Sequence, residues 1–275
     1  MEKWGDKPYH SLDYENKKRF GEKVYKISLA GGTTCPNRDG TLGTRGCCFC
    51  SGSGSGDFAA TKGSITEQIE EAIARVSRYK NAGHHFTAYF QSFTATYAPV
   101  ETLRAAWEEA MTHESVVTLA IATRPDCLGD DVLSLLADCC RKIPVTVELG
   151  LQTIHPDTIR YIRRGYPNSV YETAVKNLQN IGVNVVTHVI AGLPGETKEN
   201  FIDTVRYVAD IGSDGIKLQL LHVLKGTDLA LDYENKMFRT LTPDEYLDYI
   251  TEALSILPPD MVIHRVTGDG PKDLL

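Results

Sequence analysis

No stretch of this 275-residue sequence stays apolar long enough to cross a bilayer, so no spanning helix is expected. Its first residues, Met1-Glu2-Lys3-Trp4-Gly5-Asp6-Lys7, are charged and polar and give no sign of a secretory signal, which makes a cytoplasmic location the expectation. Positive charge is scarce. Only 29 Lys and Arg stand against 36 Asp and Glu, a formal net charge of −7, whereas general nucleic-acid binders carry a basic domain. The deficit is uneven, because residues 1–50 hold nine Lys/Arg against six Asp/Glu, a bias that can mark an interaction region. Lys17-Lys18-Arg19 and the group Arg160, Arg163 and Arg164 are the basic clusters, and each also reads as a solvated helix face. Cysteines number seven, an odd count in a long chain, which argues against a disulfide framework. What is present is a globular composition, 42% hydrophobic and 24% charged, at a length that fits one α/β barrel-type domain or two small ones.

The cysteines are grouped. Cys35, Cys47 and Cys50 form a C-x11-C-x2-C set in a glycine-rich stretch that runs from Gly31 to Cys50. Three thiolates can hold three irons of a [4Fe–4S] cube and leave the fourth iron open to a ligand. Zinc is the rival metal, but a closed structural site takes four ligands. Cys48 is a poor fourth, since adjacent cysteines point in different directions, and His84 and His85 lie far downstream. Cys127, Cys139 and Cys140 read as ordinary buried thiols, the last two within a helical pattern.

Strand and helix patterns alternate. Glu22 to Leu29 reads as a first strand leading into the cysteine loop. The run Ser51-Gly52-Ser53-Gly54-Ser55-Gly56 reads as a loop shaped around a ligand, because glycines let backbone approach closely. Ser64-Ile65-Thr66-Glu67 is a capping box opening a helix to about Lys80, with Ile65, Ile69, Ile73 and Val76 as its apolar stripe. Further strands are expected at 86–93, 116–123, 145–152, 183–191 and 215–223. Helices fall between them at 100–111, 131–141, 156–163, 170–181 and 198–211. A helix at 243–257 and a candidate further strand at 261–266 follow. Alternation of this kind implies βαβ units and a parallel sheet. The expected fold is α/β, an incomplete (β/α)6 TIM-type barrel. Its expected parts are an N-terminal extension at 1–20, the partial barrel at 21–230 and a C-terminal extension at 231–275.

In such a barrel reactive groups gather at the C-terminal ends of the strands. Alternation puts Val145, Val147, Leu149 and Leu151 toward the outer helices and Thr146, Glu148, Gly150 and Gln152 toward the lumen. By the same rule Lys217 and Gln219 face inward on the sixth strand, and His188 interrupts an apolar run on the fifth. A buried acid and a buried lysine without partners are costly, so they read as ligand contacts or as partners of each other. Glu148 and Gln152 could equally form an internal hydrogen-bonded pair, and a single histidine in an apolar strand is commonly a satisfied core residue.

With Phe49 directly before the last cysteine, the cluster motif resembles the radical S-adenosylmethionine (radical SAM) superfamily. The resemblance covers nearly the whole chain and is narrower than the superfamily. Phe20-Gly21-Glu22-Lys23-Val24-Tyr25-Lys26-Ile27, Thr34-Cys35-Pro36-Asn37-Arg38-Asp39-Gly40 and Gly54-Ser55-Gly56-Asp57-Phe58 are similar to the YhcC/YtqA-type family. So are Thr123-Arg124-Pro125-Asp126-Cys127, Val147 to Gln152, Gly192-Leu193-Pro194-Gly195-Glu196, Lys225-Gly226-Thr227 and His264 to Pro271. Each alone is weak, and their order and spacing together are specific.

The resemblance implies a radical SAM enzyme with a [4Fe–4S] cluster and S-adenosylmethionine as cofactors, generating a 5′-deoxyadenosyl radical. It implies cluster ligation by Cys35, Cys47 and Cys50 and an adenine contact from Phe49. Gln91 and Ser92 take the place of the residues that hold the methionine amine. Glu148 and Gln152 would reach the ribose or the methionine end, and Gly192 to Glu196 would lie near adenine. Lys217 and His188 are the candidates for groups acting on substrate. A Gram-positive branch of the family is linked to tRNA wobble-uridine modification, taking a carboxymethylaminomethyl side chain to the aminomethyl form. The implied partners are tRNA and an electron donor such as flavodoxin or ferredoxin. Tyr166 and Gln219 stand where the family pattern has histidine, and the pattern continues beyond Leu275, so the C-terminal extension reads as shortened. A peptide or small-metabolite substrate, and a non-enzymatic zinc or iron–sulfur protein, are the alternative readings.

Overall fold

The computed structural model describes residues 4–54, 56–59, 63–80, 82–268 and 270–275. Ser55 of the serine-glycine run, Asp269 of the C-terminal motif and Met1 to Lys3 lie outside the described residues. In chain order the elements are α1 (Leu12–Phe20), β1 (Tyr25–Leu29), α2 (Ile65–Tyr79), β2 (Phe86–Phe90), α3 (Val100–Thr112), β3 (Val116–Thr123), α4 (Asp130–Cys140) and β4 (Val145–Gln152). Then come α5 (Pro156–Tyr161), α6 (Asn168–Asn180), β5 (Asn184–Ala191), α7 (Lys198–Ile211), β6 (Gly215–Leu220), α8 (Asp228–Glu234), α9 (Pro243–Ile256) and β7 (Val262–Arg265). Side chains satisfy a first-turn N–H group at the start of α1, α2, α7, α8 and α9, whereas α3 to α6 open without a side-chain cap. Ser64 with Glu67, Thr197 with Asn200, and Thr242 with Glu245 all form reciprocal capping boxes.

The seven strands pair in sequence order, every pair parallel, with β1 and β7 as the two edges. This is a curled, incomplete α/β barrel of the expected type, with the candidate strand at 261–266 present as β7. The outer layer buries what alternation assigned to it. Val145, Val147, Leu149 and Leu151 of β4 join Trp107 of α3, Leu135 of α4, Tyr171 of α6 and Phe201 of α7 in one core. Cys139 belongs to that core, whereas Cys127 and Cys140 are only half-buried.

Two helices had no sequence forecast, α1 and α8. The first closes the N-terminal mouth of the barrel. Leu12, Asn16 and Phe20 line a hollow there with Thr87, Thr118, Thr146 and Asn184, residues at the starts of β2 to β5. The chain just before α1 is tied to the β7 edge, where Ile263 N–H donates to the His10 carbonyl at 2.7 Å. The basic cluster Lys17-Lys18-Arg19 therefore sits at the mouth opposite the cysteines. His84 and His85 are at that far end too, just before β2, with His85 Nδ1 2.9 Å from Glu22. They cannot complete a zinc site with Cys35, Cys47 and Cys50.

Candidate active site

The cysteine loop leaves the C-terminal end of β1 and folds onto itself. Arg38 and Asp39 N–H groups donate to the Cys35 carbonyl, and Cys50 N–H donates to that of Cys47. Arg38 binds the two halves together. Its guanidinium donates to the carbonyls of Cys50 and Ser51 and lies over the Phe93 ring at 5.7 Å. Gly46 is required beneath it. At φ 74° it is left-handed, and a Cβ there would sit 2.9 Å from Arg38 Nε.

All seven cysteines are free thiols. The Cys50 thiol lowers Cys47 to about 6, with Asn37 Nδ2 at 3.5 Å and the Arg124 and Arg163 charges assisting against burial. Cys50 is correspondingly raised by its bond to Cys47 and by burial. Cys48 turns the other way. It is buried among Ile162, Ile190, Leu193, Leu221 and Leu229, and burial pushes its thiol up to about 12. Among the described residues no three His, Cys, Asp or Glu converge on one point as the ligands of a single ion do. Thiolates that hold separate corners of a cluster need no such convergence. The donor set, three soft sulfurs on one loop with a fourth turned away, fits an iron–sulfur cluster with one open iron.

Behind the loop lies the lumen, a cavity of about 500 Å³, within the range of small-molecule sites. Phe49 and Cys50 form part of its rim, and Gln91, Gln152, His188, Lys217 and Gln219 line it. Buried behind its lining residues Lys26, Tyr89, His188 and Lys217 is Glu148, whose side chain is 0% exposed. Lys217 Nζ donates to Oε2 at 2.5 Å, Tyr89 hydroxyl at 2.6 Å and His188 Nε2 at 2.8 Å, while Lys26 Nζ donates to Oε1. Burial alone would raise the Glu148 carboxyl, but the Lys217 and Lys26 charges hold it well below its usual range. One carboxylate cannot neutralise two lysines. Burial, reinforced by Lys26 and Arg265, pulls Lys217 down to about 7 in spite of Glu148. Burial and the Lys217 charge likewise bring His188 down to about 4, so its ring is neutral.

Lys217, His188 and Glu148 are thus brought together, and the partner of Glu148 is Lys217, not Gln152. Gln152 ends β4 at a register shift, in a left-handed conformation (φ 67°), with Oε1 buried and unpartnered among the described residues. Gln91 Oε1 accepts from Ser28 at 3.2 Å. Ser92 is buried beneath Gly56, where a Cβ would stand 2.4 Å from its hydroxyl oxygen. Gly192 and Glu196 stand apart from the lumen wall. A Cβ on Gly192 would meet Leu241 at 3.0 Å, and Glu196 accepts from the Thr153 hydroxyl at 2.5 Å. Lys26, Tyr89 and Arg265 were missed by sequence reasoning. Lys26 had a signal: Ile27 and Leu29 face the core, so alternation turns Lys26 and Ser28 inward. Tyr89 and Arg265 had none, as β2 is buried on both faces and Arg265 ends a four-residue strand.

Arg164, expected on a basic surface, is buried instead. Its guanidinium donates to the carbonyls of Leu151, Thr153 and Tyr166 and to Asn168 Oδ1. Tyr166 packs against it, 4.6 Å from guanidinium to ring, and its hydroxyl donates to the Gly150 carbonyl. Tyr166 therefore fastens the end of β4. Replacing Arg164 with Met would leave the buried carbonyls of Thr153 and Tyr166 unpaired, while that of Leu151 keeps the Thr153 N–H, at a cost of about 2–4 kcal/mol. We expect a melting temperature lower by roughly 5–12 °C in calorimetry. An unchanged transition would show that the latch carries no stability.

A second hollow, about 1040 Å³, opens on the far side of the cysteine loop between Leu42–Gly46 and the segment 156–168. Arg45, Arg160 and Arg163 line it. Arg163 and Arg45 share the Asp228 carboxylate, and Arg160 is paired with exposed Asp157. The hollow keeps one positive charge beyond its two carboxylates.

The profile of the Radical SAM superfamily matches residues 20–208, and that of the Radical_SAM C-terminal domain matches residues 213–275. The YtqA protein of Bacillus subtilis is 43% identical over 276 residues, covering 98% of this chain and 84% of its own length. YhcC of Escherichia coli is 37% identical over 259 residues, covering 94% and 82%. Among solved structures, archaeal Methanocaldococcus infernus Elp3 with an N-terminal deletion has a TM-score of 0.68 at 18% identity. That likeness is one of fold, over 92% of this chain and 58% of the Elp3 chain.

Proposed function

The chain belongs to the radical SAM superfamily, in the branch of YtqA and YhcC, and on that footing we propose that it modifies the C5 side chain of a tRNA wobble uridine, taking carboxymethylaminomethyl to aminomethyl. Enzymes of the superfamily use a [4Fe–4S] cluster and S-adenosylmethionine. When bound, the cluster supplies the electron for reductive cleavage of S-adenosylmethionine, which starts hydrogen abstraction from substrate. Cys35, Cys47 and Cys50 would hold it, and an external reductant such as flavodoxin or ferredoxin would feed it. Phe49, seated against the apolar cluster that buries Cys48, shields one side of the lumen from water. Lys217 Nζ, at about 7, can give or take a proton near neutrality, while the neutral His188 ring donates to Glu148 and orients it.

The observation that carries the tRNA reading is the hollow beside the cysteine loop. Arg45 and Arg160 are 70% and 71% exposed there, at the same mouth as the cysteines. Phosphate contacts release counterions, so tRNA binding should weaken steeply with salt. Net charge and local field are separate quantities, so a total of −7 does not forbid this. Reversing Arg45 and Arg160 to Glu should weaken tRNA binding and lower the salt slope by about one per arginine. Deleting the gene should remove aminomethyl-type wobble uridines and let carboxymethylaminomethyl precursors accumulate, read by nucleoside mass spectrometry. Unchanged nucleosides, with no redundant enzyme in the strain, would move the reading to a peptide or metabolite.

A further inference from the structure

Among the described residues the lumen holds more positive charge than its carboxylates absorb. Lys26 and Lys217 share the single buried Glu148. Asp57, the acid that lines the wall among the described residues, accepts from the Ser51 hydroxyl at 2.9 Å near the cysteines. Arg265 lines the same cavity, opposite Lys217 in the β6–β7 ladder, and pairs with no carboxylate among the described residues. Beside it on β7, His264 also lines the cavity, with Nδ1 buried and without a hydrogen-bond partner among the described residues. An uncompensated guanidinium next to an unused ring nitrogen in a concave wall is complementary to an anion with planar oxygens.

We propose that this part of the lumen is a carboxylate site, with Arg265 and Lys217 as its cationic contacts and His264 Nδ1 as a further hydrogen-bond partner. The carboxylate it takes is that of the substrate, on a secondary amine of the N-substituted glycine class. This assignment of the ligand rests on the wobble-uridine reading, in which the group to be removed is carboxymethyl. The site itself rests on the cavity's charge inventory. The same chemistry is carried by the methionine end of S-adenosylmethionine, so the test must separate the two sources.

The test uses reconstituted protein saturated with S-adenosylmethionine and without reductant. Two ligand pairs are titrated by ligand-observed NMR: 5-carboxymethylaminomethyluridine against 5-aminomethyluridine, and N-benzylglycine against benzylamine. Each carboxylate should bind about tenfold tighter than its amine, a difference of about 1.4 kcal/mol. Arg265→Gln, on an exposed position, should erase that preference, and Lys217→Met should reduce it. A preference confined to the benzyl pair would support the carboxylate site while overturning the wobble-uridine reading. No preference in either pair would overturn the site. A fall in S-adenosylmethionine affinity in Arg265→Gln that parallels the loss of N-benzylglycine would assign the site to the cofactor's carboxylate and overturn the proposal.

Discussion

Alanine at Cys35, Cys47 or Cys50 is expected to abolish iron binding, and alanine at Cys48 to leave it intact. Anaerobically reconstituted wild type should hold about four irons and four sulfides per chain. The contrast follows from geometry. Cys47 is already polarised toward thiolate by Cys50, Asn37 and nearby arginines. Cys48, one residue on, is packed into a separate apolar cluster where burial keeps its thiol protonated. Its loss removes only a small buried side chain, so its effect should be on stability, within about 1–2 kcal/mol. Iron and sulfide analysis with electron paramagnetic resonance of the reduced protein reads the result. Tightly bound zinc and no iron after reconstitution would sink this assignment, as would loss of iron in Cys48→Ala.

The sequence made the barrel legible because its signals are local. Strands β3 and β5 are apolar runs bounded by turns, β4 alternates apolar and polar side chains, and α2 opens where the capping box Ser64 to Glu67 stands. Period-two alternation placed Glu148 and Lys217 in one lumen and left their pairing open. Sequence reasoning missed what depends on distant closure. Helix α1 has a weak apolar stripe with a single buried residue, Asn16, so nothing local marks it as the plug of the N-terminal mouth. Arg164 looked like surface charge because three arginines lie within five positions, yet the chain after α5 turns back and aims it at the carbonyls of β4. Lys26 was readable, since alternation along β1 is clear, but only the register of β1 against β2 and onward to β4 shows that it reaches Glu148.

Glu148→Gln is expected to destabilise the protein more than any other lumen substitution. The change keeps side-chain shape and removes the carboxylate that Lys26 and Lys217 share. Removing one partner of a buried pair costs about 3–5 kcal/mol, because the remaining charge is left without compensation. The expected drop in melting temperature is roughly 6–20 °C. Its pH dependence has a definite sign. In the wild type the Lys217 ammonium is held at about 7 against 10.5 for an unperturbed lysine, so the folded state binds fewer protons than the unfolded state above neutrality, and stability from this group rises with pH across that window. Without Glu148 the folded-state value falls further and the window opens at lower pH. The loss should therefore be largest near pH 6 and shrink toward pH 8, where Lys217 sheds its proton. A second replacement, Lys217→Met, removes the stranded ammonium and should recover much of the stability at pH 6, since a buried ion pair can be exchanged for apolar packing at little cost. Denaturant unfolding of the wild type, the single and the double variant at both pH values decides it. A loss below about 1 kcal/mol at pH 6, or a double variant no more stable than the single, would show that the lumen is wet enough to solvate these charges and that Glu148 is not the anchor of the network.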